Sequence, residues 1–148
     1  MQDTLPIHFA PLQGYTEAIY RNAHDAFFGG VDTYYTPFVR LEKGNFRRRD
    51  VRGIEPENNG VPHLIPQLIA SSAEKAEVIL SLFIEKGYQE VDINLGCPFP
   101  LLAKRHNGSG ILPYPEEVKA LLSIVTRYPQ ISFSVKMRLG WEQPDECL

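Results

Sequence analysis

Residues 71–98, SSAEKAEVILSLFIEKGYQEVDINLGCP, carry the pattern that decides the fold class. The stretch from Ser71 to Glu74 spells a capping box, which predicts the start of a helix. That helix is predicted to bury one apolar face, formed by Ala76, Ile79, Leu80, Phe83 and Ile84. Gly87 predicts its C-terminal end, and Glu90 to Leu95 predicts a strand that runs directly into Gly96-Cys97-Pro98. A helix followed by an apolar strand is typical of alternating α/β proteins.

The alternation extends in both directions along the chain. Further strands are predicted at 5–10, 32–36, 63–69 and 131–139. Pro66 lies inside the third of these and lacks a backbone donor, so irregular pairing is expected there. A helix is predicted after Thr16, ending at Gly29-Gly30, with its buried face formed by Ile19, Ala23 and Phe27.

The second half of the chain contains one more predicted helix. It opens at Pro115, and its buried face is predicted to contain Val118, Leu121, Leu122 and Val125. The stretch from Arg40 to Gly60 is polar and is predicted to be irregular. We see no internal repeat and no clear linker.

The order of elements implies parallel strands joined by crossovers. A doubly wound sheet and a (β/α)₈ barrel both fit this order, but the glycine-rich phosphate-binding motif of the dinucleotide folds is absent after the first strand. We therefore favour the barrel. A complete barrel takes about 250 residues. We expect residues 1–148 to be a single partial domain, the N-terminal portion of a barrel with about its first five strands.

Composition excludes several classes of protein. Apolar residues make up 43% and charged residues 22%, with a net charge of −3, which excludes a disordered or collagen-like chain. No apolar run approaches the ~20 residues of a membrane helix, and no secretory signal is evident, so a cytoplasmic location is expected. Cys97 and Cys147 lie outside any metal-ligand spacing, so neither a metal site nor a disulfide framework is predicted.

Polar side chains follow several predicted strands, at the barrel end where active sites lie. They are Gln13, Gln67, Asn94, Cys97, Lys136 and Arg138. Lys136 and Arg138 are two residues apart and so face the same side of their strand. Two inward cations indicate a bound, electron-rich cofactor, because burying them without a partner is costly. The alternative is that both face solvent at a sheet edge.

Cys97 lies between a glycine and a proline at a strand end. Cysteine thiols are mostly protonated at neutral pH, so Cys97 could donate a proton or attack as a nucleophile. His106 is nine residues away, across a loop, so no activating histidine is evident nearby. The alternative is that Cys97 is a small buried apolar residue.

Two basic segments could contact phosphate. The segment KRHNGSG at 104–110 could bind phosphate through backbone donors, or be an ordinary mobile loop. A second group of cations could contact an RNA backbone, or be solvated surface, and consists of Lys43, Arg47, Arg48, Arg49 and Arg52.

Four segments together resemble the tRNA-dihydrouridine synthases. APLQGYTEAIYR is similar to the family's opening signature, and DINLGCPFP to its Asn-x-Gly-Cys-Pro segment. HNGSGILPYPE resembles the glycine-rich continuation, and SVKMRLGW the Lys-x-Arg-x-Gly motif of the fifth strand. The resemblance covers the chain from about Leu5 to Trp141, and the combination of the second and fourth segments at this separation is quite specific.

The resemblance implies an FMN-binding barrel that reduces a uridine in tRNA to dihydrouridine, with NADPH as electron donor. It implies that Cys97 protonates the uracil ring, that Asn94 positions it and that Arg138 reaches the base. Gln67 and Lys136 would bind the isoalloxazine ring, and Pro11 and Leu12 would place backbone against it. The base must leave its stack to enter such a pocket.

This chain departs from the family pattern in two ways. Leu12 and Gln13 stand where Met and a small residue are common in the family. The later barrel strands, which supply the family's FMN phosphate site, and the helical tRNA-binding domain are expected to be absent from residues 1–148, so this chain alone is expected to hold little or no FMN.

Two alternatives to tRNA reduction are open from the sequence. One is an FMN-dependent barrel acting on a free pyrimidine or an enone. The other is a non-catalytic fragment that self-associates through open strand edges at Leu5 and Ile131.

Overall fold

The computed structural model describes residues 5–147, which form a mixed α/β fold. Its strands are β1 (His8–Phe9), β2 (Thr33–Tyr35), β3 (Leu41–Glu42), β4 (Asn45–Phe46), β5 (Leu64–Ile65), β6 (Gln67–Leu68), β7 (Glu90–Leu95) and β8 (Ser132–Met137). Its helices are α1 (Ala18–Phe27), α2 (Arg48–Ile54), α3 (Ala73–Glu85), α4 (Pro100–Ala103) and α5 (Pro115–Arg127). Short 3₁₀ turns lie at Pro56–Asn58, Gly108–Ile111 and Pro144–Cys147.

The long-range strand pairing is parallel and follows chain order. Strands β1, β2 and β5 form one parallel group, and β6, β7 and β8 form another. Pro66 separates β5 from β6, as expected for a residue that cannot donate to a ladder. The parallel bridge from Val39 to Leu68 links the end of the β2 segment to β6. The predicted α/β class with parallel strands is therefore confirmed.

Helices α3 and α5 cover the sheet and build the main core. In α3, the predicted face is confirmed at Ala76, Ile79, Leu80 and Phe83, whereas Ile84 is 38% exposed. The cap is Ser72 rather than Ser71, because its Oγ accepts from the amide of Lys75 at 3.4 Å. In α5, Leu121 and Ile124 are buried, and Val125, which was predicted to be buried, is exposed.

The predicted buried face of α1 is wrong. Ile19 is 73% exposed and Phe27 is 85% exposed, whereas Arg21 is fully buried. The guanidinium of Arg21 donates to the carbonyls of Thr16 (2.6 Å) and Gly53 (2.9 Å). It also donates to Oδ1 of Asn59 at 2.5 Å. Burial lowers the pKa of Arg21 to about 10. These bonds turn the polar side of α1 inward, which apolar periodicity could not anticipate.

The stretch at 40–60 is more regular than predicted. Strands β3 and β4 form a short hairpin, whose turn holds Lys43 and Gly44 at positive φ, and α2 follows it. Ile54 fixes the C-terminal end of α2 in the core, since its side chain is fully buried and its carbonyl accepts from Oη of Tyr88 at 2.8 Å. Tertiary contacts thus order a segment that has no apolar repeat of its own.

Two apolar surfaces remain exposed in the part of the chain described. One is on α1, and the other is on and beyond β8, where Val135 is 40%, Met137 49% and Leu139 66% exposed. Among residues 5–147, no helix has both the length and the hydropathy needed to cross a membrane.

Candidate active site

Strands β6, β7 and β8 place polar side chains side by side near their carboxyl ends. In the parallel register, Gln67 is opposite Asp92, and Asn94 is opposite Lys136. Because alternate residues of a strand share a face, Asp92 and Asn94 lie on one side of β7. The register therefore brings together Gln67, Asn94 and Lys136, which the sequence assigned to one site.

A chain of hydrogen bonds joins these side chains. Ser134 Oγ donates to Asp92 Oδ1 at 2.7 Å, and Gln67 Nε2 donates to Asp92 Oδ2 at 2.6 Å. Asn94 Nδ2 then donates to Gln67 Oε1 at 2.8 Å. Gln67, Asp92 and Asn94 are all buried. The polar groups are thus satisfied by one another in the interior, as buried polar groups require.

Asn94 connects this chain to the Cys97 loop. Its Oδ1 accepts from the backbone amides of Gly96 at 3.1 Å and Cys97 at 3.0 Å. Cys97 is a free, half-buried cysteine that packs against the small apolar cluster formed by Phe38, Ile69 and Leu102. The loop that carries the thiol is therefore held by a side chain of the site itself.

The glycine-rich segment at 104–110 clamps the Cys97 loop. The backbone amide and the Oγ of Ser109 each donate to the carbonyl of Cys97 at 3.0 Å. Gly108 has a φ of +61°, and a Cβ there would lie 2.6 Å from that carbonyl oxygen. A Cβ on Gly110 would overlap the carbonyl of Ala103. These glycines allow close backbone packing of the segment against Cys97 and Ala103.

His106 is engaged elsewhere. Its Nδ1 lies 2.7 Å from Glu117 Oε2, and its ring stacks on Tyr114 with centroids 4.0 Å apart. The histidine nearest to Cys97 in the sequence is thus engaged with Glu117 and Tyr114.

A cavity of about 260 Å³ opens beside the hydrogen-bond chain. Its wall is formed by His8, Ala10, Pro11, Tyr35, Asp92, Ser134, Val135 and Lys136. His8 Nδ1 lies 3.0 Å from Tyr35 Oη. Burial raises the pKa of Tyr35, and the Asp92 and Glu90 carboxylates raise it further. Residues from β1, β2, β7 and β8 thus converge on one space.

Asp92 is the carboxylate of this cavity. Burial raises its pKa, and the hydrogen bonds from Ser134 and Gln67 and the charge of Lys136 partly oppose that effect. Lys136 lines the same cavity, but its side chain is exposed on β8, an edge strand of its three-stranded group, as the solvent-facing alternative predicts. Arg138 lies just beyond the end of β8 and is exposed, with its backbone nitrogen 3.6 Å from the position that a Cβ on Gly96 would occupy.

The residues after β1 are placed differently from one another. Pro11 reaches the cavity wall, whereas the Leu12 side chain is 62% exposed. The backbone amide of Leu12 donates to Thr16 Oγ1 at 2.9 Å, so this turn is fixed locally. Both polar atoms of the Gln13 amide are buried without a partner among residues 5–147.

A basic groove of about 450 Å³ lies next to the Cys97 loop. Ile69 and Leu102 line the groove and also belong to the cluster that packs with Cys97. Four cations line the groove against one carboxylate, Glu42; the cations are Arg40, Lys43, Lys75 and Arg105. Of these cations Arg40 is paired, 3.7 Å from Glu42, and in the cluster at 47–52 Arg47 and Arg49 lie 3.6 and 3.8 Å from Asp50.

Sequence reasoning missed Asp92 and Ser134 as members of the site. A signal was present, because Asp92 precedes Asn94 by two residues and Ser134 precedes Lys136 by two. A buried strand with a carboxylate on the same face as a site amide indicates a polar network. The cross-strand pairing that unites them could be known only from the register.

Comparison with known families agrees with this arrangement. The family model for dihydrouridine synthases matches residues 8–148, nearly the whole chain. The chain belongs to the dihydrouridine synthase family. The resemblance carried by the Asn-x-Gly-Cys-Pro and Lys-x-Arg-x-Gly segments is therefore confirmed.

Curated relatives carry the same family name. The chain is 29% identical to a probable tRNA-dihydrouridine synthase 1 of Synechocystis, over 90% of this chain and 37% of that protein. It is 29% identical to a tRNA-dihydrouridine(16) synthase of Pseudomonas putida, over 97% of this chain and 47% of that protein. A tRNA-dihydrouridine synthase B of Klebsiella pneumoniae is 33% identical over 51% of this chain and 24% of that protein. The chain thus spans less than half the length of these relatives.

Proposed function

We propose that this chain is part of an enzyme that reduces uridine in tRNA to 5,6-dihydrouridine, with FMN as cofactor and NADPH as electron donor. The observation that carries the proposal is the hydrogen-bond chain from Gln67 through Asn94 to the backbone of Cys97. It links the residues assigned to the flavin, to the uracil and to proton donation in one rigid unit.

The donor set fits a flavin ring. Gln67 and Asn94 do not line the cavity themselves, but each uses only one N–H within the network and would offer the second to a ligand. Lys136 adds a cationic donor in the cavity wall. The pyrimidine part of an isoalloxazine carries carbonyl and ring-nitrogen acceptors, which match these donors. The cavity is smaller than ligand pockets of roughly 300–1,000 Å³, so it suits a ring rather than a whole mononucleotide.

The chain's own residues would divide the remaining work. Bound FMN would supply the hydride. Gln67, Lys136 and the backbone at Pro11 and Leu12 would hold and orient the ring. Asn94 would hold the uracil through its free N–H, and Arg138 would reach the base if its side chain turns toward the bound substrate.

Cys97 would act as the acid. The S–H bond of Cys97 would break as the proton passes to the ring carbon next to the one that receives hydride, and water would reprotonate the thiolate. Cys97 is a free cysteine, and the histidine that follows it in the loop, His106, contacts Glu117 instead.

The basic groove supports a nucleic-acid substrate. It opens one side chain away from Cys97, and its cations come from the β3–β4 hairpin, α3 and the loop after α4. A nucleotide inserted toward Cys97 would leave its neighbouring phosphates beside these cations. A free pyrimidine or an enone has no such phosphates, so the groove favours tRNA over the alternative substrates.

The strand order supports the N-terminal part of a (β/α)₈ barrel. Parallel neighbours in chain order are what a singly wound barrel requires, whereas a doubly wound sheet reverses its order part-way. The later barrel strands and the helical tRNA-binding domain would belong to the rest of such an enzyme. The cytoplasmic location stays a prediction.

The proposal is tested by separating the two half-reactions in the complete protein. FMN is reduced anaerobically with NADPH, and its reoxidation is then followed after mixing with tRNA that lacks dihydrouridine. We expect Cys97→Ala to leave reduction by NADPH unchanged and to slow reoxidation by roughly 10²–10⁴-fold. Cys97→Ser is the matched control for size, and it should also be slow because a hydroxyl is a much weaker acid.

Two outcomes would contradict the proposal. Wild-type flavin that is reoxidised by free uridine or an enone, but not by tRNA, would assign the alternative substrate class. Reoxidation of Cys97→Ala by tRNA at the wild-type rate would remove Cys97 from the chemistry and leave it a packing residue.

A further inference from the structure

We propose that Asp92 is a positioning residue that fixes the orientation of both site amides, so that Gln67 and Asn94 present N–H donors to the ligand while the Asn94 oxygen holds the Cys97 loop. This inference rests on the proposed function for its kinetic readout. Its structural basis is independent of that function, because it follows from the direction of each hydrogen bond.

An ionised carboxylate accepts hydrogen bonds and donates none. Asp92 receives Ser134 Oγ at 2.7 Å on one oxygen and Gln67 Nε2 at 2.6 Å on the other. Turning the Gln67 amide by half a turn would set its carbonyl oxygen against the carboxylate. Asp92 therefore dictates that the Gln67 amide nitrogen faces it and that the oxygen Oε1 faces away.

The orientation of Gln67 in turn sets the orientation of the Asn94 amide. Gln67 Oε1 can only accept, so Asn94 must offer Nδ2, and it does so at 2.8 Å. Its oxygen Oδ1 is then left for the backbone amides of Gly96 and Cys97, at 3.1 and 3.0 Å. The direction set at Asp92 is thus transmitted across two amides to the loop that carries the thiol.

The direction of the network also decides which amide atoms a ligand meets. Asn94 Oδ1 accepts two hydrogen bonds and Gln67 Oε1 accepts one, whereas each amide nitrogen donates once and keeps a second N–H for a ligand. A reversed network would present carbonyl oxygens instead, and these would repel the carbonyl and ring-nitrogen acceptors of a flavin or a uracil. Asp92, which also lines the cavity, thereby favours an acceptor-rich ligand through the direction of the two amides.

The surroundings of Asp92 destabilise its ionised form. Burial raises its pKa, so the ionised form is disfavoured in the folded protein. The titratable side chains that share the cavity wall with it are Lys136 on β8, Tyr35 on β2 and His8 on β1, and Glu90 lies two residues earlier on β7. Lys136 is the cation among them that opposes the rise. A carboxylate retained in such a place is consistent with a task that a neutral amide would not perform.

The sign of the stability effect follows from this rise. Between the unfolded pKa and the higher folded pKa, the folded state binds more protons, so the free energy of unfolding falls as pH rises through that window. At neutral pH the ionised Asp92 therefore lowers stability relative to a neutral isostere. Asp92→Asn is expected to keep or raise the urea midpoint at pH 7.

The experiment compares Asp92→Asn with Ser134→Ala in the complete protein. Asn can donate as well as accept, so Gln67 becomes free to reverse. We expect flavin affinity and tRNA-dependent reoxidation to fall roughly 10–100-fold in Asp92→Asn, without loss of stability. Ser134→Ala removes the other bond to Asp92 but leaves the direction of Gln67 set, so its effect should be several-fold smaller. The wild-type reoxidation rate should fall at acid pH as Asp92 becomes protonated. This fall should be absent in Asp92→Asn.

A measurement without turnover keeps the inference falsifiable if a variant does not fold. In flavin-free wild-type protein, the side-chain ¹⁵N–¹H signals of Gln67 and Asn94 should shift together with the protonation of Asp92. Independent behaviour of those signals would overturn the inference. An Asp92→Asn variant with the flavin affinity and pH profile of the wild type would also overturn the inference. This holds even if Cys97→Ala slows tRNA reduction as the proposed function requires. Absence of tRNA reduction by the wild type, with coupled amide signals, would instead overturn the proposed function alone.

Discussion

Replacing Gly108 with Ala should damage both stability and the site, because Gly108 lies directly against Cys97. Gly108 has a φ of +61°, and its missing Cβ would lie 2.6 Å from the carbonyl oxygen and 2.9 Å from the Cβ of Cys97. Contacts this short with backbone cannot be relieved by rotating a side chain. Either the 3₁₀ turn at Gly108–Ile111 or the Cys97 loop must move.

The magnitude has two parts. The left-handed backbone conformation costs an alanine about 1–2 kcal/mol. Overpacking against a fixed backbone adds about 1–3 kcal/mol. We therefore expect Gly108→Ala to lower the free energy of unfolding by roughly 2–5 kcal/mol. Because Ser109 holds the Cys97 carbonyl through two hydrogen bonds, the displacement should also reach the thiol.

The assay is urea unfolding followed by fluorescence, with Gly87→Ala as the matched control. Gly87 has a φ of +85° and nothing within 4 Å of its missing Cβ, so its variant carries the backbone cost alone. The difference between the two variants isolates the overlap with Cys97. In the complete enzyme, Gly108→Ala should also slow flavin reoxidation by tRNA while leaving reduction by NADPH largely intact.

Equal destabilisation by Gly108→Ala and Gly87→Ala would refute the reasoning, because it would mean that the contact with Cys97 has no energetic weight. Unchanged reoxidation kinetics in a destabilised Gly108→Ala would refute the link from this packing to the thiol.

Three further outcomes are expected. Lys136→Ala should weaken flavin binding roughly 10-fold and alter flavin reduction by NADPH, since it removes a cationic donor from the cavity wall; flavin titration of the variant checks this. Neutralising groove cations with Lys75→Gln and Arg105→Gln should reduce the slope of log tRNA affinity against log salt by about one per lost phosphate contact, whereas Arg52→Gln outside the groove should not. The 148-residue chain should self-associate through the exposed edge at β8. Sedimentation should show a larger monomer fraction for the Met137→Lys variant than for the wild type.

Much of the fold could be predicted from local pattern. Helix α3, its end at Gly87 and strand β7 follow from spacing and from residues with strong positional preferences. These features are decided within a few residues along the chain, so no distant partner is needed to anticipate them. The prediction of buried residues failed where a hydrogen-bond partner far away in sequence determines which side chain is buried. The buried face of α1 was wrong because Arg21 finds acceptors at Gly53 and Asn59, more than thirty residues away.

The candidate site divides in the same way. The sequence by itself determined the residue types, because a thiol between Gly96 and Pro98 and two cations spaced by two are visible without coordinates. Only the tertiary structure decided that Gln67, Asp92 and Asn94 form one directed hydrogen-bond chain and that Gly108 closes on Cys97. The physical reason is that hydrogen bonds and close packing depend on register between strands far apart in sequence, and a shift of one residue would turn every one of these side chains to the opposite face.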